Sequence, residues 1–142
     1  MLTMTGAILQ HVFRLMTFRH DGRGLPAARG GALYILMGLA ALSRLGVDYV
    51  DPEGLDLVNS VATCAAYVAL LSVLVRPTPM AAMLLISLFG NVVTGALYLA
   101  GISNAYATTA LLVWEFAAVM SVLSRMVMRA QAEHKNRNTG KN

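Results

Sequence analysis

The residue of this 142-residue chain most able to do chemistry is Glu115, which lies in the middle of an apolar segment, Val113-Trp114-Glu115-Phe116. An acidic side chain at the centre of a membrane-spanning helix costs about 2.5–3.5 kcal/mol on insertion scales. A carboxyl at this depth therefore needs a partner. Three roles are open: a neutral acid that donates a hydrogen bond to Asn91, a carboxylate that titrates or binds a cation during transport, or a group that faces a cationic helix of a partner subunit.

Polar and small residues recur at the spacing of one helical face in four apolar segments. If these faces point inward, they enclose a polar layer around Glu115, which serves either helix assembly or transport. The predicted layer consists of Glu115, Asn91, Thr63, Ser87, Thr94 and Asn59. The inward faces predicted for the first and last segments are Tyr34, Gly38, Ala41 and Arg44, and Thr108, Leu111, Glu115, Ala118 and Val122.

Motifs for catalysis or metal binding are missing from the sequence. The three histidines, His11, His20 and His134, lack metal-ligand spacing, and we expect them to be solvated among lipid headgroups. No Ser-His-Asp set, glycine-rich phosphate loop, HExxH or CxxC motif occurs, and the single cysteine, Cys64, excludes an intramolecular disulfide. The sequence therefore predicts a protein that is not an enzyme and that uses no cofactor or metal.

The elements that must position these residues are membrane helices. Hydrophobic residues make up 57% of the chain and charged residues 13%, whereas soluble domains are about 45–50% apolar. The predicted spans are residues 31–47, 56–75, 79–101 and 105–127, each close to the length that crosses a bilayer. Because the last two connectors are tight turns, we expect the second, third and fourth spans to pack as successive antiparallel neighbours. The predicted fold is thus an all-α integral membrane protein with a four-helix antiparallel bundle over residues 31–127.

The two ends of the chain are basic. Residues 1–30 predict an amphipathic interfacial helix followed by a basic connector, and residues 128–142 a basic tail that is disordered or lies on headgroups. Ten of the 11 Lys and Arg residues fall on one side of the predicted bundle, so both termini are expected to be cytoplasmic, in a bacterial inner membrane. The predicted contacts to anionic lipid headgroups are Arg14, Arg19, Arg23, Arg29, Arg125 and Arg129.

The functional hypothesis is an accessory, assembly or scaffold subunit of a membrane complex. Nearly the whole chain is predicted to be embedded, so its partners are lipid and other membrane proteins or copies of itself, and not nucleic acid. The alternative is a small oligomeric transporter or channel, coupled to protons or cations, that uses Glu115 and Asn91. No motif identifies a family.

Overall fold

Five α-helices and their connecting segments form the described part of the chain, residues 2–20, 22–52 and 56–139 of a computed structural model. The helices are α1 (Leu2–Met16), α2 (Gly31–Val50), α3 (Leu57–Leu74), α4 (Pro77–Leu99) and α5 (Ala105–Thr139). These ranges contain no β-strand. Three helices, α2, α4 and α5, are long and apolar enough to cross a membrane, and α3 contributes a shorter apolar stretch, Leu57–Val73. The fold is therefore all-helical and compatible with an integral membrane protein.

Local sequence signals set several of the helix ends. A carboxylate oxygen of Asp56 accepts a hydrogen bond of 3.1 Å from a backbone N–H in the first turn of α3. The next helix, α4, starts with Pro77, whose fixed φ suits a first helical position. Two residues after its end at Leu99 lies Gly101, which has φ +75° and so adopts the left-handed conformation that glycine tolerates without strain. Asn104 then caps α5 by accepting a backbone N–H bond of 2.8 Å.

The principal helix pair is α2 with α4, and the two run parallel and in register. Asn91 Nδ2 donates to Ser43 Oγ at 3.0 Å, and the open side of Gly95 faces Val47 about one turn further along both helices. The two pairs have the same separation of 48 residues along the chain, which a parallel arrangement requires. Because α3 returns the chain between them, α2 and α4 can meet directly while α3 lies outside the pair.

A buried core surrounds the first half of α4. Leu15, Leu25, Leu33 and Val122 cover it from α1, from the segment between α1 and α2, from α2 and from α5. Later in α4 the side chains are more open, and Leu99 is 78% exposed. The buried residues of α4 are Met80, Ala81, Ala82, Leu84, Leu85, Ile86 and Gly90. The central helix of the bundle is therefore α4.

The position of α3 contradicts the prediction that the second and third apolar helices pack as neighbours, whereas the third and fourth, α4 and α5, do pack against each other. Among the described residues α3 packs against α2 and makes no comparable interface with α4 or α5. Val58 and Val73, near its two ends, are 79% and 80% exposed. Because the apolar side chains of α3 are spread around most of its circumference, no single face is favoured for burial.

The buried face of α2 also differs from the predicted one. Tyr34 is 60% exposed, and Gly38 and Arg44 are exposed as well. The buried residues are instead Leu33, Leu36, Ala40, Val47 and Asp48. Larger side chains of α2 fill the core, so Tyr34 and Gly38 point away from it, whereas Ala41 is half-buried and, like Arg44, lines the cavity that also contains Glu115. The predicted face of α5 does lie toward the bundle, since its members are half-buried or buried.

Two helices run further than predicted because ion pairs one turn apart continue them. In α2, Arg44 Nη2 lies 2.8 Å from Asp48 Oδ1, and the helix extends to residue 50 instead of 47. In α5, Arg129 Nε lies 2.9 Å from Glu133 Oε1, and the helix continues to residue 139. The expectation of a disordered tail is wrong for this part of the chain, which contains no glycine or proline before Gly140.

A pair of histidines fastens α1 to the segment that follows it. His11 Nδ1 and His20 Nε2 are 2.7 Å apart, and the backbone N–H of Gly22 donates to His20 Nδ1 at 2.8 Å. Because His20 Nδ1 accepts, its Nε2 carries the proton that is donated to His11. His20 is only 3% exposed, so the expectation of solvated histidines is wrong for this pair. The side chain of His134 lies outside the described part of the chain.

Replacing His20 with alanine is expected to loosen α1. The variant removes the bond to His11 and leaves the N–H of Gly22 without its acceptor, at a local cost of about 1–3 kcal/mol. Amide hydrogen exchange over residues 2–16 should become about tenfold faster when measured by mass spectrometry on the detergent-solubilised protein. His134→Ala, in the last turns of α5, is the matched control and should not change that exchange. Unaltered protection of α1 in His20→Ala would refute this role of the pair.

The end of α1 is also fixed against α5. Phe18 has φ 57°, a left-handed conformation that costs a residue other than glycine about 1–2 kcal/mol. Its ring packs on Trp114 with the ring centroids 5.0 Å apart and the planes inclined by 45°, an aromatic contact that offsets part of this strain. The turn after α1 is therefore held in place by a residue near the middle of the apolar part of α5.

Candidate functional site

An open cleft with a volume of about 620 Å³ lies between α2, α3, α4 and α5. Four of the six residues predicted for the polar layer line it: Glu115, Asn91, Thr63 and Ser87. The other two do not. Thr94 is half-buried further along α4, and Asn59 is exposed in the first turn of α3. The structure thus brings the middle of the predicted layer together and leaves its outer members apart.

Glu115 sits directly on the backbone of α4. A Cβ atom at position 90 would overlap the Glu115 carboxyl, so the close approach of the two helices here depends on Gly90. The carboxyl is half-buried, and within the described ranges no hydrogen bond reaches it. Glu115 is therefore held in position by packing, with its oxygens available to another group.

A hydrogen bond from Glu115 to Asn91, one of the three roles left open for this carboxyl, is absent from the described residues. Asn91 Nδ2 instead donates to Ser43 Oγ, whose own hydroxyl donates to the carbonyl of Ala40 at 2.8 Å. The parallel register of α2 and α4 places Ser43 opposite Asn91. The amide of Asn91 therefore links α4 to α2. The Glu115 carboxyl lies against the preceding residue of α4, Gly90.

Of the charged side chains that line the cleft, Glu115 has no ion-pair partner among the described residues. Arg44 also lines the cleft, but its guanidinium forms a salt bridge of 2.8 Å with Asp48, so these two charges compensate each other. The phenol of Tyr67, from α3, is close enough to Glu115 for an electrostatic interaction. Apolar side chains such as Phe116 complete the wall. The arrangement can accept hydrogen bonds or a positive charge at one carboxyl inside a largely apolar cavity.

Sequence reasoning did not find the hydrogen bond of Ser43 or the close approach of Glu115 to Gly90. A lone serine in an apolar helix carries no signal of its partner, because the partner depends on which helices meet. Gly90 did carry a signal, since a glycine in the interior of an apolar helix indicates close approach of another group. In the described segments no group of three or more His, Cys, Asp or Glu side chains could hold a metal ion.

The six arginines predicted to contact lipid headgroups are all exposed. Arg29 also donates to the backbone carbonyl of Ser72, in the last turn of α3, and Arg129 is paired with Glu133. Their contact with lipid stays a prediction.

Comparisons of the chain with protein-family models, with curated proteins and with solved structures give no match.

Proposed function

We propose that the protein is a non-catalytic subunit of a membrane assembly and that its cleft receives a helix of a partner membrane protein, with a second copy of the chain as the alternative occupant. The observation that carries this proposal is the open cleft beside the Glu115 carboxyl, which no hydrogen bond reaches within the described ranges. The cleft stays open because, among those residues, α3 packs on α2 and makes no comparable interface with α4. A partner helix would fill that space and supply a donor to Glu115.

The energetics favour an occupant that is polar at one point and apolar elsewhere. A carboxyl in a membrane interior is expensive unless it is paired, and hydrogen bonds between membrane helices contribute about 0.6–2 kcal/mol each. The rest of the cleft wall is mostly apolar. A helix with one Lys, Arg, Asn or Gln in an apolar stretch matches this wall.

The proposal includes the placement of the chain in a bacterial inner membrane. We take α3 as a fourth span, because its 18 residues extend about 27 Å at 1.5 Å per residue, close to the thickness of the hydrocarbon core. The excess of Lys and Arg on one side supports cytoplasmic termini. In this placement α1 lies at the cytoplasmic side of the bundle.

The second candidate is a small proton- or cation-coupled transporter or channel. The observation in its favour is the same carboxyl, which faces a cavity of about 620 Å³ that could hold water or a hydrated ion. The two candidates differ in what fills the cleft: protein in the first and water in the second.

The only cysteine of the chain makes this difference measurable. Cys64 lines the cleft, so its reaction with a charged thiol reagent that dissolves only in water reports whether the cleft is wet. If a partner helix fills the cleft, Cys64 should be protected in native membranes and become reactive after the protein is purified away from the partner. Rapid labelling in native membranes would contradict the subunit proposal and support the transporter.

Variants at the cleft complete the test. Thr63→Trp fills the cleft and should abolish stoichiometric recovery of a partner in affinity purification followed by native mass spectrometry. Ala62→Trp, at the exposed neighbouring position outside the cleft, should not. Glu115→Gln keeps a hydrogen-bonding group and should preserve recovery of a partner that donates through Asn or Gln, whereas lost recovery would identify a cationic Lys or Arg donor. The same variant should abolish coupled flux in proteoliposomes if the transporter is correct.

A further inference from the structure

The cleft between α2, α3, α4 and α5 has a net negative charge when Glu115 is ionised. Its charged lining residues are Arg44 and Glu115, and the Arg44 guanidinium already forms a salt bridge of 2.8 Å with Asp48. Within the described ranges no hydrogen bond or ion pair reaches the Glu115 carboxyl. A countercharge for this carboxyl would therefore have to come with the occupant of the cleft.

The two oxygens of the Glu115 carboxyl are not equally accessible to an occupant. Oε1 lies closest to the position that a Cβ atom would take at Gly90, so this oxygen faces the backbone of α4, and Oε2 lies further from it. A guanidinium pairs best with a carboxylate when it reaches both oxygens at once, whereas an ammonium is a compact charge that can bind one of them. This geometry favours an ammonium.

Other oxygen-bearing side chains line the same space as Glu115, namely those of Thr63, Ser87 and Asn91. The Asn91 amide donates to Ser43, and among the described residues its carbonyl accepts no hydrogen bond. The hydroxyls of Thr63 and Ser87 make none within those residues either. An ammonium has three hydrogen-bond donors and no acceptor, so it matches a carboxylate surrounded by such oxygens.

Two aromatic side chains, Tyr67 and Phe116, belong to the wall of the cleft. The Tyr67 phenol is close enough to Glu115 for an electrostatic interaction. An aromatic ring attracts a cation through its quadrupole, and the attraction is stronger where water is excluded. A cation beside Glu115 would gain this attraction in addition to an ion pair, whereas a neutral amide would gain only a hydrogen bond.

Glu115 lies near the middle of the membrane in the placement proposed above. It comes ten residues after Ala105, the first residue of α5, which is about 15 Å at 1.5 Å per residue and half of the roughly 30 Å hydrocarbon core. A residue of the occupant that meets Glu115 must lie at the same depth, at the centre of an apolar span.

We infer that the occupant of the cleft is a partner helix with a lysine at the centre of its apolar span, and that this lysine pairs with Glu115. The inference rests on the proposed function, because it names the group that the partner helix brings into the cleft. A second copy of this chain lacks that group, since its lysines are Lys135 and Lys141, beyond the apolar part of α5. The partner is therefore a different protein.

The test uses the full chain in phosphatidylcholine vesicles, with synthetic transmembrane peptides as the probe. Each peptide is an apolar helix of about 20 leucine and alanine residues, with lysine, glutamine or leucine at its centre and a photoreactive leucine beside it. After irradiation, mass spectrometry locates the crosslinks and measures their yield. We expect the lysine peptide to crosslink to the cleft at least tenfold more than the glutamine and leucine peptides.

Variants of the chain separate the charge of Glu115 from general adhesion of a helix. Glu115→Gln should lower crosslinking of the lysine peptide at least tenfold and leave that of the leucine peptide unchanged. Glu133→Gln removes a carboxyl of the same helix outside the cleft and is the matched control, which should change neither. Tyr67→Leu removes an aromatic ring and should lower the lysine peptide alone, about threefold, so a folding defect in one variant does not decide the result.

The outcomes for this inference and for the proposed function are distinguishable. Equal crosslinking of the lysine and glutamine peptides to the cleft, or an undiminished yield with Glu115→Gln, would overturn the inference and leave the cleft as a site for a helix. Absence of crosslinks to the cleft would also overturn it, whereas protection of Cys64 in native membranes decides the subunit proposal separately.

Discussion

Gly90→Ala is expected to destabilise the protein by about 1–3 kcal/mol, although alanine is normally the better helix former by about 1 kcal/mol. The new methyl group would take the space of the Glu115 carboxyl. To avoid it, Glu115 must swing into the cleft or α5 must move away from α4. The free energy of unfolding can be followed in SDS titrations through Trp114, the only tryptophan of the chain and a neighbour of Phe18.

A second glycine of α4, Gly95, provides a control for which no loss of stability is expected. At Gly95 a Cβ atom would lie 3.7 Å from Val47 Cγ2, an ordinary van der Waals distance. Gly95→Ala should therefore be neutral or stabilising. In a Glu115→Ala background the damage caused by Gly90→Ala should disappear, because the atoms that clash are gone. If Gly90→Ala is as harmful with alanine at 115 as with glutamate, the carboxyl does not rest on that glycine.

Leu84→Ala is the second substitution for which we expect a large loss. Leu84 is fully buried at the centre of the core around α4, and truncation of a buried leucine costs about 2–5 kcal/mol in soluble proteins. In a membrane the loss should fall near the lower end of that range, because lipid is as apolar as leucine and the van der Waals contacts are what is lost. SDS titration of the unfolding equilibrium gives the value.

Leu99→Ala is the control for this substitution. It removes the same atoms from the last residue of the same helix, where the side chain is 78% exposed. The expected change in unfolding free energy is within about 0.5 kcal/mol. Similar losses at the two positions would mean that the first half of α4 is not the centre of the packed core.

The sequence contained enough information to predict helices but not to predict which of them meet. Hydropathy and turn residues such as Pro77 and Gly101 placed the apolar helices within a few residues, because these signals are local. The direct pairing of α2 with α4 depends on how small residues around Ser43 and Gly95 fit together over a separation of 48 residues, which no local pattern records.

In the candidate site, too, the residue types were evident from the sequence, whereas their contacts were not. Glu115 was evident because its charge is exceptional in an apolar segment, and helical periodicity was enough to associate it with Asn91 and Thr63. The hydrogen bond considered between Glu115 and Asn91 is absent from the described residues, where the Asn91 amide instead donates to Ser43, a residue of α2 that lay outside the inward face predicted for that helix. The periodicity of α1 indicated an apolar face, but the packing of Phe18 on Trp114, which fixes the turn after α1 against α5, has no local sequence signal.

The long helix α5 connects Glu115, in the cleft, to a helix end far from it. From Glu115 to the last helical residue, Thr139, the helix continues for 24 residues without a break, or about 36 Å at 1.5 Å per residue. A tilt of about 10° at the contact with Gly90 would sweep the far end through roughly 6 Å. The helix would then act as a lever arm, so that an occupant that pushed on the carboxyl would be sensed as a displacement in the charged last turns, well outside the bundle.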